Sequence, residues 1–214
     1  MNNRALPAEF IPVIPIRQSV VFPGLAFPIK VGRAKSALAL ERAKDKSWPV
    51  LLVTQKNHSV DEPGPADLYT VGTLAQIEKI IGSKEDGYQA LVRGTHRFRL
   101  SEVSEVDGML LAQGRVLEDE VDLDESTATA LLGSLKSTAQ EIISLLPREM
   151  AHFTGLVSEI KDLSFFTHLT SANLDLELSK KQELLETVSL KNRALKLLEL
   201  MQDRKSNLKV QGEI

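Results

Sequence analysis

Apolar residues along this chain follow two different rhythms, and the change between them falls near Glu118. Before it, short β-branched runs are broken by Gly and Pro. After it, both breakers thin out and the apolar period becomes helical. Residues 10–16 read FIPVIPI, and Pro12 and Pro15 forbid helix there, so an edge or irregular strand is expected. Val20, Val21 and Phe22 run into Pro23-Gly24, a turn signal. Phe27, Ile29 and Val31 alternate with Pro28 and Lys30, the pattern of a half-buried strand. Ala34–Lys46 is expected to be a helix, with Ala34, Ala37 and Leu38 packed inward and Lys35, Glu41, Arg42 and Asp45 outside. Residues 50–53 are continuously apolar and predict a central strand, and residues 57–67, with Pro63, Gly64 and Pro65, predict a loop. Residues 71–81 and 88–100 are two long strands flanking a hairpin connection at 82–87, and Met109–Leu117 follows the Asp107-Gly108 turn. Strands in such number around one helix are best buried by a curved, largely antiparallel sheet or a partly closed barrel.

Residues 118–125 hold six acids in eight positions and read as a solvated linker whose charge favours the start of the next helix. Ser126 or Thr127 can cap that helix, along which Leu131, Leu132, Leu135, Ala139, Ile142, Ile143 and Leu146 recur at helical spacing. Pro147 opens a second helix, with Met150, Phe153, Val157 and Ile160 on one face. Residues 162–169 offer Leu163, Phe166 and Leu169 to a third segment. Ser179 and Gln182 resemble a capping box ahead of Leu184, Leu185 and Val188. Ser189 caps the last helix, which carries Leu190, Ala194, Leu197, Leu198 and Met201 and runs toward Leu208 and Ile214 without a stop signal. That ending is the one expected of a chain cut inside a longer protein. The pattern therefore predicts an α+β protein, with a β-rich domain over 1–118 and an all-α domain over 119–214.

Composition narrows the function. With 214 residues, 43% of them hydrophobic and 26% charged, the chain can bury a substantial core. A formal net charge of −3 lacks the basic excess that phosphate neutralisation needs, so nucleic acid is not an expected partner. The absence of cysteine excludes disulfides, thiolate metal sites and a cysteine nucleophile. No apolar run reaches the ~18 residues that span a bilayer. Residues 1–9 lack a basic region followed by an apolar stretch, so a cytoplasmic location is expected.

Candidate chemistry is sparse. Gly82 and Gly87 have the spacing of a phosphate loop, but Tyr88 and Gln89 stand where Lys and Ser or Thr are required. His58, His96, His152 and His168 have no second ligand at helical spacing, and no serine sits in a nucleophile elbow. Arg93, Arg97 and Arg99 share one face of a strand under period two, either to contact an anion or RNA or to pair with Glu78, Glu102 or Glu105. Pro23, Leu25 and Phe27 place apolar side chains beside a turn, as Ile80 and Ile81 do at the hairpin mouth. Such residues either edge a core or form an apolar patch that binds unfolded clients.

Several motifs occur in an order and spacing that is familiar: IPVIPIR at 11–17, VVFPG at 20–24, PIKVGRAKS at 28–36, LLVTQK at 51–56, DEPGPADLY at 61–69 and VGTLAQI at 71–77. With VRGTHRF at 92–98 and KQELLE at 181–186, they resemble the N-terminal domain of bacterial Lon, a family of ATP-dependent proteases. The turn at 83–86 departs from the family's more common Pro-Asp-Gly. The resemblance implies a PUA-like β-rich pseudo-barrel followed by a helical bundle. It also implies a non-catalytic region that recognises unfolded or damaged proteins and helps a hexamer assemble. The ring ATPase, with its ATP and magnesium, and the Ser-Lys protease domain would lie outside this chain, which itself takes no cofactor. Two other readings are a free-standing Lon-domain adaptor and an RNA-binding PUA-like module.

Overall fold

Alternating and continuous apolar runs in the first part of the chain produce six strands: β1 (Ile11–Ile16), β2 (Ala26–Val31), β3 (Val50–Thr54), β4 (Val71–Ser83), β5 (Gly87–Val106) and β6 (Met109–Leu117). They belong to a computed structural model that describes residues 10–213. Residues 1–9, expected to lack a secretory signal, and Ile214 lie outside the described residues. The chain divides into two units, one up to Glu118 and one from Asp119.

In the first unit the strands form one mixed sheet in the order β2-β5-β4-β3-β1-β6. The β1–β3 pair is parallel and the others are antiparallel. β6 pairs with both β1 and β5, so the ladder runs from β5 through β4, β3 and β1 to β6 and back to β5. The proline-containing β1 is not an edge strand. Its neighbours divide it lengthwise: β6 takes Ile11 and Pro12, and β3 takes Val13 to Ile16. Sharing the strand in this way lets it sit inside the sheet although its prolines lack N–H donors.

β3 is buried along its whole length. Val50 and Leu52 enter a cluster with Ile14, Leu40, Val92 and Leu111, while Leu51 and Val53 enter a second cluster with Val13, Phe98 and Leu110. Period-two alternation thus feeds two cores from one strand. Helix α1 (Ala34–Lys46) covers the first cluster with Ser36, Ala37, Ala39, Leu40 and Ala43. The expected inward set was rotated from this one. Ala34 is exposed and Leu38 only half-buried, because the small residues at 36, 39 and 43 form the face that lets the helix approach the sheet. Gly82 closes the β4–β5 hairpin at φ 98°, where a Cβ would meet the Gly87 carbonyl oxygen at 2.3 Å.

The second unit contains α2 (Glu125–Leu145), α3 (Phe153–Glu159), α4 (Leu163–Asn173), α5 (Leu178–Glu186) and α6 (Leu190–Gly212). The cap of α2 is Asp124, whose carboxylate accepts from the Thr127 amide at 2.7 Å, rather than Ser126 or Thr127. Ser189 caps α6, accepting from the Asn192 amide at 3.0 Å. The capping box expected at Ser179 does not form, because α5 begins at Leu178 and Ser179 already lies inside it. Pro147 leads into a single 3-10 turn and then the seven residues of α3, neither of which buries a residue. Met150, Phe153 and Leu156, the first two expected on a packed face, are exposed by 37, 38 and 57%.

The acidic stretch after Glu118 is not a free linker. The backbone of Glu120 pairs on both sides of Ser189, with Val188 O at 2.9 Å and Leu190 N at 3.0 Å. Asp122 accepts from the Ser189 hydroxyl and from the Lys191 amide. Those bonds, the hydroxyl's first, hold the Asp122 carboxyl below its ordinary value of 3.8. Arg193, fully buried, uses all five N–H donors: Nε on Thr167, Nη1 on Asp119 and the Thr187 carbonyl, Nη2 on Asp119 and Ser164. A guanidinium out of water needs that full set of acceptors.

Candidate functional site

The turn at 23–24 is rigid because its flanks are bonded to the sheet. Gly24, at φ 82°, donates to the Gly94 carbonyl at 2.9 Å, and the Gly94 amide donates to the Leu25 carbonyl at 2.9 Å. The Thr73 hydroxyl donates to Val21 O at 2.6 Å and the Thr54 hydroxyl to Ser19 O at 2.7 Å. A Cβ on Gly94 would stand 2.5 Å from Phe22 O, so only glycine permits this approach. Phe22 is buried beneath the turn, leaving Pro23 and Leu25 half-buried at its surface.

Phe27 and Ile80 lie on either side of β5, opposite Val92 and Ala90 respectively. Both are partly buried against the cluster under α1, so they edge the core while keeping some surface. Ile81 turns to the opposite face of β4, 52% exposed, where Leu91 of β5 is 37% exposed. The structure therefore brings Phe27 and Ile80 to one face, ties Leu25 to the next turn of β5, and sets Ile81 apart.

Sequence reasoning missed a cavity of about 570 Å³ at the end of β1, walled by Ile14, Ile16, Phe27 and Ile29 and edged by Arg17, Arg33 and Ser36. Arg17 donates to Asp61 and to the His58 carbonyl, both at 3.1 Å. Arg33 donates to the side-chain oxygen of buried Gln55, whose amide nitrogen holds the Val60 carbonyl at 2.9 Å. Arg33 has no carboxylate in ion-pair contact among the described residues. Burial first, and the charge of Arg17 second, push its pKa below the ordinary arginine value, with Glu62 and Asp61 opposing. The available signal was two arginines, each within two residues of the end of an apolar strand, in IPVIPIR and KVGR.

Arg93 does not share a face with Arg97 and Arg99. A bulge at Thr95 breaks the alternation, so Arg93 is exposed and ion-paired with Glu78 while Arg97 is 3% exposed. Residues 83–86 form the hairpin turn, with the Asp86 amide bonded to the Ser83 hydroxyl at 3.1 Å. Among the described residues, no group of three or more His, Asp and Glu could hold a metal, and no helix is long and apolar enough to cross a membrane.

Comparison with known proteins identifies the family. Residues 11–203 match the family model of the ATP-dependent protease La (LON) substrate-binding domain. Lon protease 1 of Bdellovibrio bacteriovorus is 39% identical over 96% of this chain and 26% of its own length. Lon protease 2 of Myxococcus xanthus is 36% identical over 100% of this chain and 26% of its own. The chain thus spans about a quarter of the length of the curated relatives it matches. The solved N-terminal domain of the Mycobacterium avium complex Lon protease superposes with a TM-score of 0.73 at 21% identity, covering 92% of this chain and 98% of that one. A Lon N-terminal domain protein from Xanthomonas campestris shares the fold at a TM-score of 0.63 and 16% identity, over 89% and 97% of the two chains. With its mixed sheet followed by a helical bundle, and with a family match across nearly its whole length, this chain belongs to the Lon protease substrate-binding domain family.

Proposed function

We propose that this chain recognises unfolded or damaged proteins for a Lon-type ATP-dependent protease by holding their exposed apolar segments on its sheet unit, while hydrolysis belongs to other parts of the parent. The match of residues 11–203 to a substrate-binding family carries the reading. Half-buried Pro23, Leu25, Phe27 and Ile80 and exposed Ile81, mounted on hydrogen-bonded strands and a pinned turn, support the contact surface. The returning ladder from β6 to β5 supports the pseudo-barrel description, and the division after Glu118 supports domains over 1–118 and 119–214. In the parent, ATPase and protease domains would follow in cis, with ATP and magnesium bound there, and six copies would assemble in the cytoplasm.

Burying roughly 300 Å² of apolar client surface would contribute on the order of 7 kcal/mol. Ordering and association costs offset most of it, leaving weak single contacts that a ring of copies would reinforce. Binding of a chemically unfolded protein to Leu25→Ser, Ile81→Ser and the double variant tests the reading. The double variant is expected to bind about tenfold more weakly. Unchanged affinity would overturn the assignment of this surface, and the single variants would show which face of the sheet contributes.

A further inference from the structure

The cavity beside β1 unites three features that no client-binding patch of apolar residues requires. First, it lies at the start of α1, a helix of 13 residues with no side-chain cap and no acid in its first turn. The first intrahelical bond runs from Ala37 N to Arg33 O at 2.8 Å, so the amides before Ala37 have no partner within the helix. Second, the residues gathered there are basic. Arg33 is the cap position itself, Arg17 lines the same cavity, and Lys35 follows in the first turn, paired with Glu105 at 2.9 Å. Cations at a helix N-terminus oppose the helix dipole, and an anion there relieves both. Third, Ser36 lines the cavity at 4% exposure, with a side-chain hydroxyl that has no hydrogen-bond partner among the described residues. A cavity-lining hydroxyl that meets no protein acceptor has a donor to offer an acceptor bound there.

The same lining includes the apolar side chains of Ile14, Ile16, Phe27 and Ile29. We propose that this cavity is an oxyanion pocket that takes the C-terminal carboxylate of a client whose last residues are apolar. Arg33 and the Ser36 hydroxyl donate to the carboxylate, and Phe27 and the β1 isoleucines hold the apolar side chain beside it. Arg17, half-neutralised by Asp61, supplies field rather than a direct bond. The inference rests on the client-recognition reading and gives that reading a chemical end-group.

The test measures binding of two labelled peptides to the full 214-residue chain by fluorescence anisotropy. They share an apolar C-terminal sequence, but one ends in a free carboxylate and the other in an amide. The acid is expected to bind about tenfold more tightly, the difference made by charge-assisted hydrogen bonds. Arg33→Gln and Ser36→Ala should abolish or reduce that preference by weakening the acid more than the amide, and Arg33→Lys should restore part of it. Inorganic phosphate should compete with the acid peptide only. Equal binding of acid and amide overturns the pocket, as does phosphate binding with no carboxylate preference. Failure of both peptides to bind would instead strike the broader client-recognition reading. Ser36→Ala adds no volume, so its result stands even where an arginine variant folds poorly.

Discussion

Two arginines near helix starts, one in each unit, sit in opposite circumstances. Arg193 in the helical unit is fully buried, and every donor it owns meets an oxygen, including both of Asp119. Arg33 in the sheet unit is half-buried and donates to one neutral group, Gln55, among the described residues. The first ties the acidic stretch, α4 and α6 together, and leaves no donor for anything else. The second holds charge at the rim of a cavity with donors unspent. A saturated cation acts as structure, whereas an unsaturated one beside open space is available to a ligand.

Breaking the saturated arginine should have the largest effect. Arg193→Met removes the guanidinium that donates to Asp119, Ser164, Thr167 and the Thr187 carbonyl, and is expected to cost about 3–5 kcal/mol, read from urea unfolding. A loss below about 1 kcal/mol would show that the network is not what joins the acidic stretch to α6.

Acid should act next, and on the same unit. The carboxyls of Asp122 and Glu183 are held below their ordinary values, by the Ser189 hydroxyl and by Lys196 respectively. Their folded forms thus bind protons less readily than their unfolded forms. The stability they contribute is complete above the ordinary carboxylate values, 3.8 and 4.5, and is lost as pH falls toward the depressed ones. Melting temperature followed from pH 7 downward should therefore begin to lose their contribution only below about pH 5. Asp122→Asn should begin lower at neutral pH and fall less on acidification. Parallel curves would remove Asp122 from the account.

The smallest effect on stability belongs to the unsaturated arginine. Arg33→Gln should change unfolding free energy by no more than about 0.5 kcal/mol, the range of surface substitutions. A loss matching that of Arg193→Met would make Arg33 structural and erase the contrast.

Much of the fold is legible in the residues alone. The limits of α1, the continuous burial of β3, the hairpin at 82–87 and the Ser189 cap all follow from local pattern, because each depends on neighbours within a turn or a strand. The misreadings have a common cause. The packed face of α1, the interior place of β1 and the docking of the acidic stretch each depend on a partner far away in sequence. Glu120 meets Ser189 across the whole length of four helices, and no local signal announces that pairing. The face of α3 fell short in the other direction: its spacing promised burial, but Val157 and Ile160 are only half-buried and Met150 and Phe153 are exposed.

The candidate surface shows the same division. Apolar residues beside turns mark Pro23, Leu25, Phe27, Ile80 and Ile81 as unusual from the sequence, and the Lon motifs that contain or flank several of them identify the family. Whether each faces core or water is a matter of strand register, which set Ile80 against the α1 cluster and Ile81 to solvent. Sequence by itself determined the family, the two rhythms of the chain and the positions of most strands and helices, since short-range sterics and periodic burial dictate those. Only the tertiary structure decided which charges are spent and which are free. Electrostatic saturation depends on groups brought within a few ångströms from distant segments, as Asp119 was brought to Arg193 and Gln55 to Arg33.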